Sequence, residues 1–368
     1  MRRTICSLAL LMLSIQLCFA QQKLTFSDEI LNTKDIEVIA IKELWSQFYD
    51  SIKKIKLTNA RPVYDQYWMP NDSMDLVGHS MSTTYAMYLF GDSHTFSIRK
   101  YDSSTYEINT ILWMNPEKTD MYCIYKVCAT KDEQGAYKLH NYTTKVLPDL
   151  QKEQLGNITY YYPCGLEFSQ AQKDKVIGFM VDFVEKYEID SIPNIRYIVG
   201  NSIDECQQYL GFPYTIMRSE YKTAGMYVYP DIIISCRPDH IHELVHRLFI
   251  TKEQPELKML HEGLAMYYGG TGDLTNKQHI EVLRKYLQEH PSINLSEYNS
   301  YQTLLAGGSN PFYSVGFLII QEAMKRGKEK KVKALFSHNS MADVFVNEFN
   351  IKAEEIEAFL LQLLENSK

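Results

Sequence analysis

The sequence feature that most constrains the fold is a largely apolar helical segment with two histidines and a glutamate at its centre. The run from Asp239 to Phe249 reads Asp-His-Ile-His-Glu-Leu-Val-His-Arg-Leu-Phe, with His242, Glu243 and His246 at its centre. Residues four apart on an α-helix lie about 40° apart around the axis and about 6 Å apart along it, so both imidazoles share one face. Ionisable side chains on a buried helix need partners. The rest of the chain must therefore supply a partner for this face.

A glutamate on the next predicted helix is the expected partner. Glu262 lies in the run Leu260-His-Glu-Gly-Leu-Ala-Met-Tyr-Tyr, which follows the histidines. Two imidazoles and one carboxylate, with a fourth position left open, are the ligand set of a catalytic zinc site. The sequence therefore predicts one Zn²⁺ ion bound by His242, His246 and Glu262.

Glu243 has a different expected role. It is rotated about 100° from His242 around the helix, so it lies beside the metal rather than on it. A carboxylate in that place can act as the general base for a water whose pKa zinc lowers to about 7. The alternative is a surface helix in which His and Glu occur at this spacing by chance. The mostly apolar neighbours favour the metal site: Ile241, Leu244, Val245, Leu248 and Phe249.

The first 20 residues have the pattern of a cleavable signal peptide. Arg2 and Arg3 precede a short apolar run, and the segment ends in small residues, with cleavage expected after Ala20. The apolar run is too short to span a membrane. We therefore expect a secreted or periplasmic protein, and the alternative is a buried N-terminal helix.

The composition argues against a nucleic-acid partner and against a membrane span. The chain carries a net charge of −7, and loss of Arg2 and Arg3 with the leader would leave −9, whereas a nucleic-acid-binding surface is basic. No later segment reaches 18 apolar residues, so no membrane span is expected. The remaining length of about 348 residues suits two domains. The sequence does not indicate an oligomeric state.

The N-terminal part, residues 21–146, is expected to be a small α+β domain. Apolar residues recur every three or four positions from Asp35 to Lys54, which predicts a helix. Strand-like runs separated by turn-like segments follow at 95–101, 106–114, 121–130 and 137–146. The pattern predicts an antiparallel sheet and vaguely resembles the small cone-shaped domains of the nuclear-transport-factor type.

The C-terminal part, residues 147–368, is expected to be largely helical, so the chain as a whole is α+β. The polar segment 147–157 is interpreted as a linker, and strands are predicted at 195–199 and 226–236. Helices are predicted at 169–187, 204–210, 256–268, 276–289, 313–326, 328–336, 341–349 and 353–366.

Three motifs of this part resemble those of the gluzincin metallopeptidases, the thermolysin-like and aminopeptidase-like group. They are His242-Glu-Leu-Val-His246, then Glu262-Gly-Leu-Ala, which is similar to the E-G-x-A signature, and Tyr313-Ser-Val-Gly316-Phe, which is similar to a Y-x-x-G-F segment. The resemblance covers roughly residue 147 to the C-terminus. It implies a zincin-like catalytic domain that binds one zinc ion and hydrolyses peptide bonds in a peptide or protein substrate.

The resemblance also implies roles outside the ligand set. The tyrosine that matches Tyr313 points its hydroxyl at the tetrahedral intermediate, where a preorganised donor would contribute roughly 3–4 kcal/mol. Packing is the alternative, because the chain has 27 Tyr. An edge strand before the first ligand helix pairs with substrate in such enzymes, and Ala224 and Gly225 would let a peptide approach closely. A plain turn is the alternative there.

One departure from the family bears on the type of cleavage. The glutamate that binds the free amine in aminopeptidases is missing after Gly225-Met226, so an endopeptidase is favoured over an aminopeptidase. Two other functions stay open: a non-catalytic, peptidase-like binding protein, and a zinc hydrolase that acts on glycopeptides or cell-wall material. Among the other histidines, His240 is expected to face away from His242, and His261 is a candidate support for Glu262.

Overall fold

The computed structural model describes residues 24–52, 66–70, 92–113, 118–215, 225–228, 231–249, 254–300 and 305–367. The chain forms two compact units, each assembled from two stretches of sequence. The first unit comprises Met1–Leu150 and Asp204–Arg218, and the second comprises Gln151–Ile203 and Ser219–Lys368. The expected signal peptide, residues 1–20, and Ala224 lie outside the described residues.

The first unit is built around a sheet that is antiparallel except at one edge. Its main strands are β1 (Leu24–Phe26), β2 (Asp92–Lys100), β3 (Thr105–Trp113), β4 (Met121–Lys131) and β5 (Tyr137–Asn141). They lie in the order β1-β2-β3-β4-β5, with β1 parallel to β2 and every other pair antiparallel. The predicted antiparallel sheet and the α+β class are therefore confirmed.

Helices cover and extend this sheet. After α1 (Asp28–Leu31), the longer α2 (Ile36–Ile52) contributes Trp45 to the core, where the indole is fully buried and its Nε1 donates to the Thr95 Oγ1 at 3.0 Å. The predicted helix is thus confirmed. The prediction of a strand up to residue 146 is wrong, because the chain turns into α3 (Tyr142–Val146) where β5 ends.

The second unit contains a mixed sheet. Its strands are β6 (Gln151–Leu155), β7 (Ile158–Tyr162), β8 (Ile195–Val199), β10 (Gly225–Val228) and β11 (Ile232–Ser235). They lie in the order β10-β11-β8-β7-β6, in which β7, β8 and β11 are parallel. The strands at both ends, β6 and β10, are antiparallel to their neighbours.

Two strand predictions for this unit need correction. The linker proposed at 147–157 contains the division between the units, after Leu150, but it is not irregular, because a 3₁₀ turn (Leu147–Asp149) and β6 occupy most of it. Its side chains are exposed or half-buried, as expected for a polar edge strand. The single strand predicted at 226–236 is instead an antiparallel pair, β10 and β11. A continuous apolar run does not reveal where a strand turns back.

Helices make up most of the second unit. They are α4 (Gln170–Lys186), α6 (Ile241–Phe249), α7 (Lys258–Gly269), α8 (Asn276–Glu289), α9 (Pro311–Leu335), α10 (Met341–Val344) and α11 (Ile356–Asn366). Backbone angles leave the helical range at Gly327 and Lys328, which divides α9 as the two predicted helices require. No helix among the described residues is both long and apolar enough to cross a membrane.

A short stretch inside the second unit's sequence belongs to the first unit. Here α5 (Ile203–Tyr209) is followed by β9 (Tyr214–Thr215), which pairs antiparallel with β4. Between them, the Gly211 carbonyl accepts from the Lys126 N–H at 2.8 Å. A side chain at Gly211, where φ is +93°, would also collide with the Lys126 backbone. The sequence-based domain boundary at residue 146 did not assign Asp204–Arg218 to the first unit.

Candidate metal centre

The segment that leads into α6 is fixed by two tyrosines of the sheet. The Tyr160 hydroxyl on β7 donates to the Pro238 carbonyl at 3.0 Å, and the Tyr197 hydroxyl on β8 donates to the Arg237 carbonyl at 2.7 Å. Both tyrosines are buried. The start of α6 is therefore anchored to the sheet before the first candidate ligand is reached.

Helix α6 presents two imidazoles on its buried surface. The side chains of His242 and His246 are only 5% and 8% exposed, and their ring centroids lie 5.0 Å apart. Leu244 and Leu248 pack into the core on the other side of the helix. The four-residue spacing therefore brings both nitrogen ligands together, as the sequence predicts.

Glu262 on α7 lies within reach of both imidazoles. Its Oε2 atom is 3.3 Å from the His242 Nε2 and 3.4 Å from the His246 Nε2. The candidate ligand atoms of all three residues lie within 4.8 Å of one another. Two ligand atoms on one tetrahedral zinc ion, with bonds of about 2.0–2.1 Å, are roughly 3.3–3.4 Å apart. The carboxylate is therefore spaced from each imidazole as a shared ion requires.

A backbone carbonyl fixes the protonation of His242. The His242 Nδ1 lies 2.7 Å from the Gly270 carbonyl oxygen, which can only accept a hydrogen bond, so Nδ1 carries the proton. Nε2, which faces Glu262, is then the nitrogen that would coordinate a metal ion once its own proton is lost. A carbonyl in this position is the usual outer partner of a metal-binding histidine. Gly270 ends α7 with φ +69° and ψ −171°, a conformation that favours glycine.

The charges of the cluster suit a bound cation. Burial alone would lower the pKa of His242, but the hydrogen bond with Glu262 and the charges of Glu243 and Glu262 outweigh it and raise this pKa to about 9. Burial would raise the pKa of Glu262, but the two imidazoles hold it well below its usual range. The buried carboxylate is thus ionised and must be neutralised by a proton on an imidazole or by a metal ion.

Glu243 lies beside the ligand cluster and is not a member of it. The residue is 6% exposed, and the candidate metal-binding group found among the described residues consists of the two histidines and Glu262. The Glu243 Cγ packs against Gly225 of β10, where an added Cβ would come within 2.9 Å of it. This is the place that the helical rotation from His242 predicts for a general base.

Tyr313 also reaches the cluster. Its ring centroid lies 6.1 Å from that of His242, with nearly parallel planes. The negative charge of Glu262, burial, the charge of Glu243 and a hydrogen bond with Glu262 together raise the pKa of Tyr313 well above 10. The hydroxyl therefore keeps its proton at neutral pH and can act as a hydrogen-bond donor.

Two glycines allow the helices that carry Glu262 and Tyr313 to cross closely. A Cβ at Gly263 on α7 would lie 2.2 Å from the carbonyl carbon of Gly316 on α9, and a Cβ at Gly316 would lie 2.1 Å from the Met259 carbonyl oxygen. Any larger residue would separate the helices. The close crossing thus explains both glycines in the E-G-x-A-like and Y-x-x-G-F-like motifs.

Strand β10 runs beside this site. Gly225 and Tyr227 lie two residues apart, so both face the same side of the sheet. Gly225 contacts Glu243, and the Tyr227 ring lies 6.5 Å from the His246 ring, with the planes 18° apart. On its other side β10 has no neighbouring strand in the part of the sheet that the structure describes. Gly225 is therefore placed at the site, whereas Ala224 is not described.

His240 lies nearer the site than its sequence position suggests. The helical-wheel argument fails because α6 begins only at Ile241. The His240 Nδ1 is 2.9 Å from the Ser235 Oγ, and its ring packs on Gly225. The prediction that His240 faces away from His242 is wrong, since the two ring centroids are 6.1 Å apart.

His261 does not support Glu262 by a hydrogen bond through Nε2. Its ring lies 4.7 Å from that of Phe336, and its buried Nε2 has no hydrogen-bond partner among the described residues. Burial lowers the pKa of His261 to about 4. The outer partner that sequence reasoning missed is Gly270, and its only sequence signal is the Gly-Gly pair that ends α7.

Comparison with known proteins adds no further assignment. No protein-family model matches the chain, and no curated protein matches it. The function is therefore argued from the geometry of the cluster and from the chemistry of its side chains.

Proposed function

We propose that the protein is an exported zinc metallopeptidase whose second unit is zincin-like. The observation that carries the proposal is the convergence of His242, His246 and Glu262, with Glu262 at 3.3 and 3.4 Å from the two imidazoles. Glu243 and Tyr313 flank this cluster without belonging to it. Two nitrogens and one oxygen are the protein ligands of many catalytic zinc sites.

The three ligands would hold one Zn²⁺ ion, with the fourth position open to water and substrate. When bound, zinc is a Lewis acid that lowers the pKa of water and polarises a carbonyl group. Donor type favours zinc over Mg²⁺ and Ca²⁺, which prefer all-oxygen sites. The Gly270 carbonyl would hold the His242 ring in the orientation that metal binding needs.

Glu243 would move the proton during hydrolysis. Its carboxylate takes a proton from the attacking water as the water oxygen bonds to the peptide carbonyl carbon. It then donates that proton to the leaving amine nitrogen as the C–N bond breaks. The step consumes one water and releases one carboxylic acid and one amine, and Glu243 returns to its carboxylate form. The burial of Glu243 beside Gly225 would keep the carboxylate pointed at the cluster.

Tyr313 and β10 would bind the substrate around the cluster. The Tyr313 hydroxyl, which keeps its proton because its pKa is raised, would donate to the oxyanion. The open edge of β10 would pair with an extended peptide, and Gly225 would let the two backbones approach closely. An endopeptidase is favoured because no glutamate follows Gly225-Met226 to bind a free amine.

Metal analysis coupled to cleavage profiling tests the proposal. The exported protein should contain one zinc ion per chain by elemental mass spectrometry. It should cleave members of a peptide library read by mass spectrometry. An added chelator should abolish cleavage, and zinc should restore it. Glu243→Gln should keep the zinc ion and lose hydrolysis, because the amide cannot accept the proton.

Glu281→Gln is the matched control, because Glu281 is an exposed glutamate on α8. It should leave both zinc content and cleavage unchanged. Hydrolysis that survives in Glu243→Gln would overturn the mechanism. Stoichiometric zinc without any cleavage would instead identify a peptidase-like binding protein.

A further inference from the structure

We infer that His279, on α8, is a positioning residue of the metal centre that acts through the loop from Gly270 to Leu274. The inference rests on the metal site of the proposed function but not on peptide hydrolysis. His279 is 0% exposed, and its Nε2 donates a hydrogen bond to the Thr271 carbonyl oxygen at 2.8 Å.

The loop connects His279 to a metal ligand through adjacent carbonyls. The Gly270 carbonyl accepts from the His242 Nδ1 at 2.7 Å, and the next carbonyl, that of Thr271, accepts from His279. The two peptide groups share the Thr271 backbone, so a rotation of one moves the other. His279 therefore restrains the carbonyl that sets the protonation and orientation of His242.

The ends of the loop are themselves held in place. The Gly270 N–H donates to the Met266 carbonyl at 2.9 Å, which closes α7. At the other end, the Thr275 and Gln278 side chains form a capping box that fixes the first turn of α8. His279 follows directly after this capped turn. The histidine therefore projects from a rigid support rather than from a mobile segment.

The choice of histidine is not explained by packing alone. Its Nδ1 is buried without a hydrogen-bond partner among the described residues, which costs free energy because the nitrogen loses its water. Burial lowers the pKa of His279, and this effect outweighs the opposing effect of the Thr271 and Leu274 carbonyls. The ring is therefore neutral at pH 7 and has a single N–H. A leucine would fill the space without an unsatisfied nitrogen, so the N–H donated to Thr271 is what histidine adds.

Zinc affinity of His279 variants tests the inference. His279→Leu removes the donor at similar volume, and His279→Gln keeps an N–H donor. The matched control is His290→Leu, at the exposed end of the same helix. We would measure zinc dissociation constants by competition with a chromogenic chelator. The visible spectrum of the cobalt-substituted protein would report ligand geometry.

The expected result is a roughly 10- to 100-fold weaker zinc affinity in His279→Leu, the range seen for loss of an outer hydrogen-bond partner. Its cobalt spectrum should change, His279→Gln should recover most of the affinity, and His290→Leu should match the wild type. A His279→Leu protein with lower thermal stability but wild-type affinity and cobalt spectrum would overturn the inference.

A measurement on the wild-type protein covers the case in which His279→Leu does not fold. The nuclear magnetic resonance signal of the His279 Nε2–H should shift when zinc is added, and an unchanged signal would contradict the inference. Wild-type protein that binds no zinc would refute the proposed function itself. Zinc binding without peptide cleavage would refute only the peptidase, and His279 would remain testable.

Discussion

At the scale of single residues, a Tyr313 variant would test the proposed catalysis separately from the proposed metal binding. Its hydroxyl is near Glu262 but is not a ligand of the cluster. Tyr313→Phe should therefore leave zinc content unchanged and lower kcat roughly 10²- to 10³-fold, because one oxyanion donor is lost. Steady-state kinetics on a cleaved peptide would measure this. Tyr267→Phe on α7 is the control, and an equal loss in both variants would contradict a specific role for Tyr313.

The raised pKa of His242 predicts that protons compete with zinc. Its folded-state pKa of about 9 lies above the ordinary 6.5, so protonation stabilises the metal-free fold fully below pH 6.5. That stabilisation is lost as the pH rises through 9. Zinc must displace this proton, so its apparent affinity should increase with pH up to about 9.

Calorimetry in buffers of different ionisation enthalpy would measure the proton release. We expect about one proton per zinc ion at pH 7.5, because His242 is then mostly protonated in the metal-free protein. Binding with no proton release across pH 7–9 would contradict the shifted pKa.

The residues of the candidate metal site could be predicted from the sequence, whereas those that support them could not. His242, Glu243 and His246 follow from helical spacing alone, and Glu262 follows from a motif on the next helix. The Gly270 carbonyl has no side chain to recognise. His279 contacts a backbone carbonyl eight residues before it, and the spacing of apolar residues gives no sign of such a contact.

At the scale of helices and strands, the crossing of α7 and α9 is the critical contact. Gly316→Ala would place a Cβ 2.1 Å from the Met259 carbonyl oxygen, so the helices must separate. We expect a loss of about 1–3 kcal/mol in unfolding free energy, as for other overpacked cores. Zinc affinity should also fall, because Glu262 moves with α7. Chemical denaturation and zinc titration would measure both effects.

Gly178→Ala provides the control within a helix. An added Cβ at this position on α4 meets nothing within 4 Å, so the change should be neutral or stabilising by about 0.5–1 kcal/mol. A Gly316→Ala protein that behaves like Gly178→Ala would show that the crossing tolerates a wider separation.

Amphipathic helices were easier to predict than strands. The spacing of apolar residues predicted α2, α8 and the division of α9 at Gly327, because each buries one stripe. The polar edge strand β6 has no alternating apolar face, so its sequence predicts a linker rather than a strand. The half-buried β10 and the buried β11 form one apolar run in the sequence, so the turn between the two strands is not apparent.

At the scale of the whole molecule, metal removal should affect the two units differently. All candidate metal ligands lie in the second unit, whereas the three tryptophans, Trp45, Trp68 and Trp113, lie in the first. Zinc at 100 times its dissociation constant contributes about 2.7 kcal/mol to the unit that binds it. Chelation should therefore lower the unfolding temperature seen by circular dichroism of the helices and leave that seen by tryptophan fluorescence unchanged.

A common shift in both signals would mean that the units unfold as one. A shift in neither signal would count against a tightly bound metal.

Division into two parts was predictable from length and pattern, but the assignment of Asp204–Arg218 to the first unit was not. It depends on β9, a two-residue strand that pairs with β4. The resemblance of the first unit to nuclear-transport-factor domains stays a prediction.

That return of the chain has a consequence for biosynthesis. The ribosome synthesises the chain from its N-terminus, so β4 is made long before β9, and all of Gln151–Ile203 is made between them. The sheet of the first unit therefore lacks one strand while Gln151–Ile203 of the second unit is already synthesised. Because Asp204–Arg218 belongs to the first unit, a single protease cut or a truncation after residue 150 would separate that unit from one of its own strands.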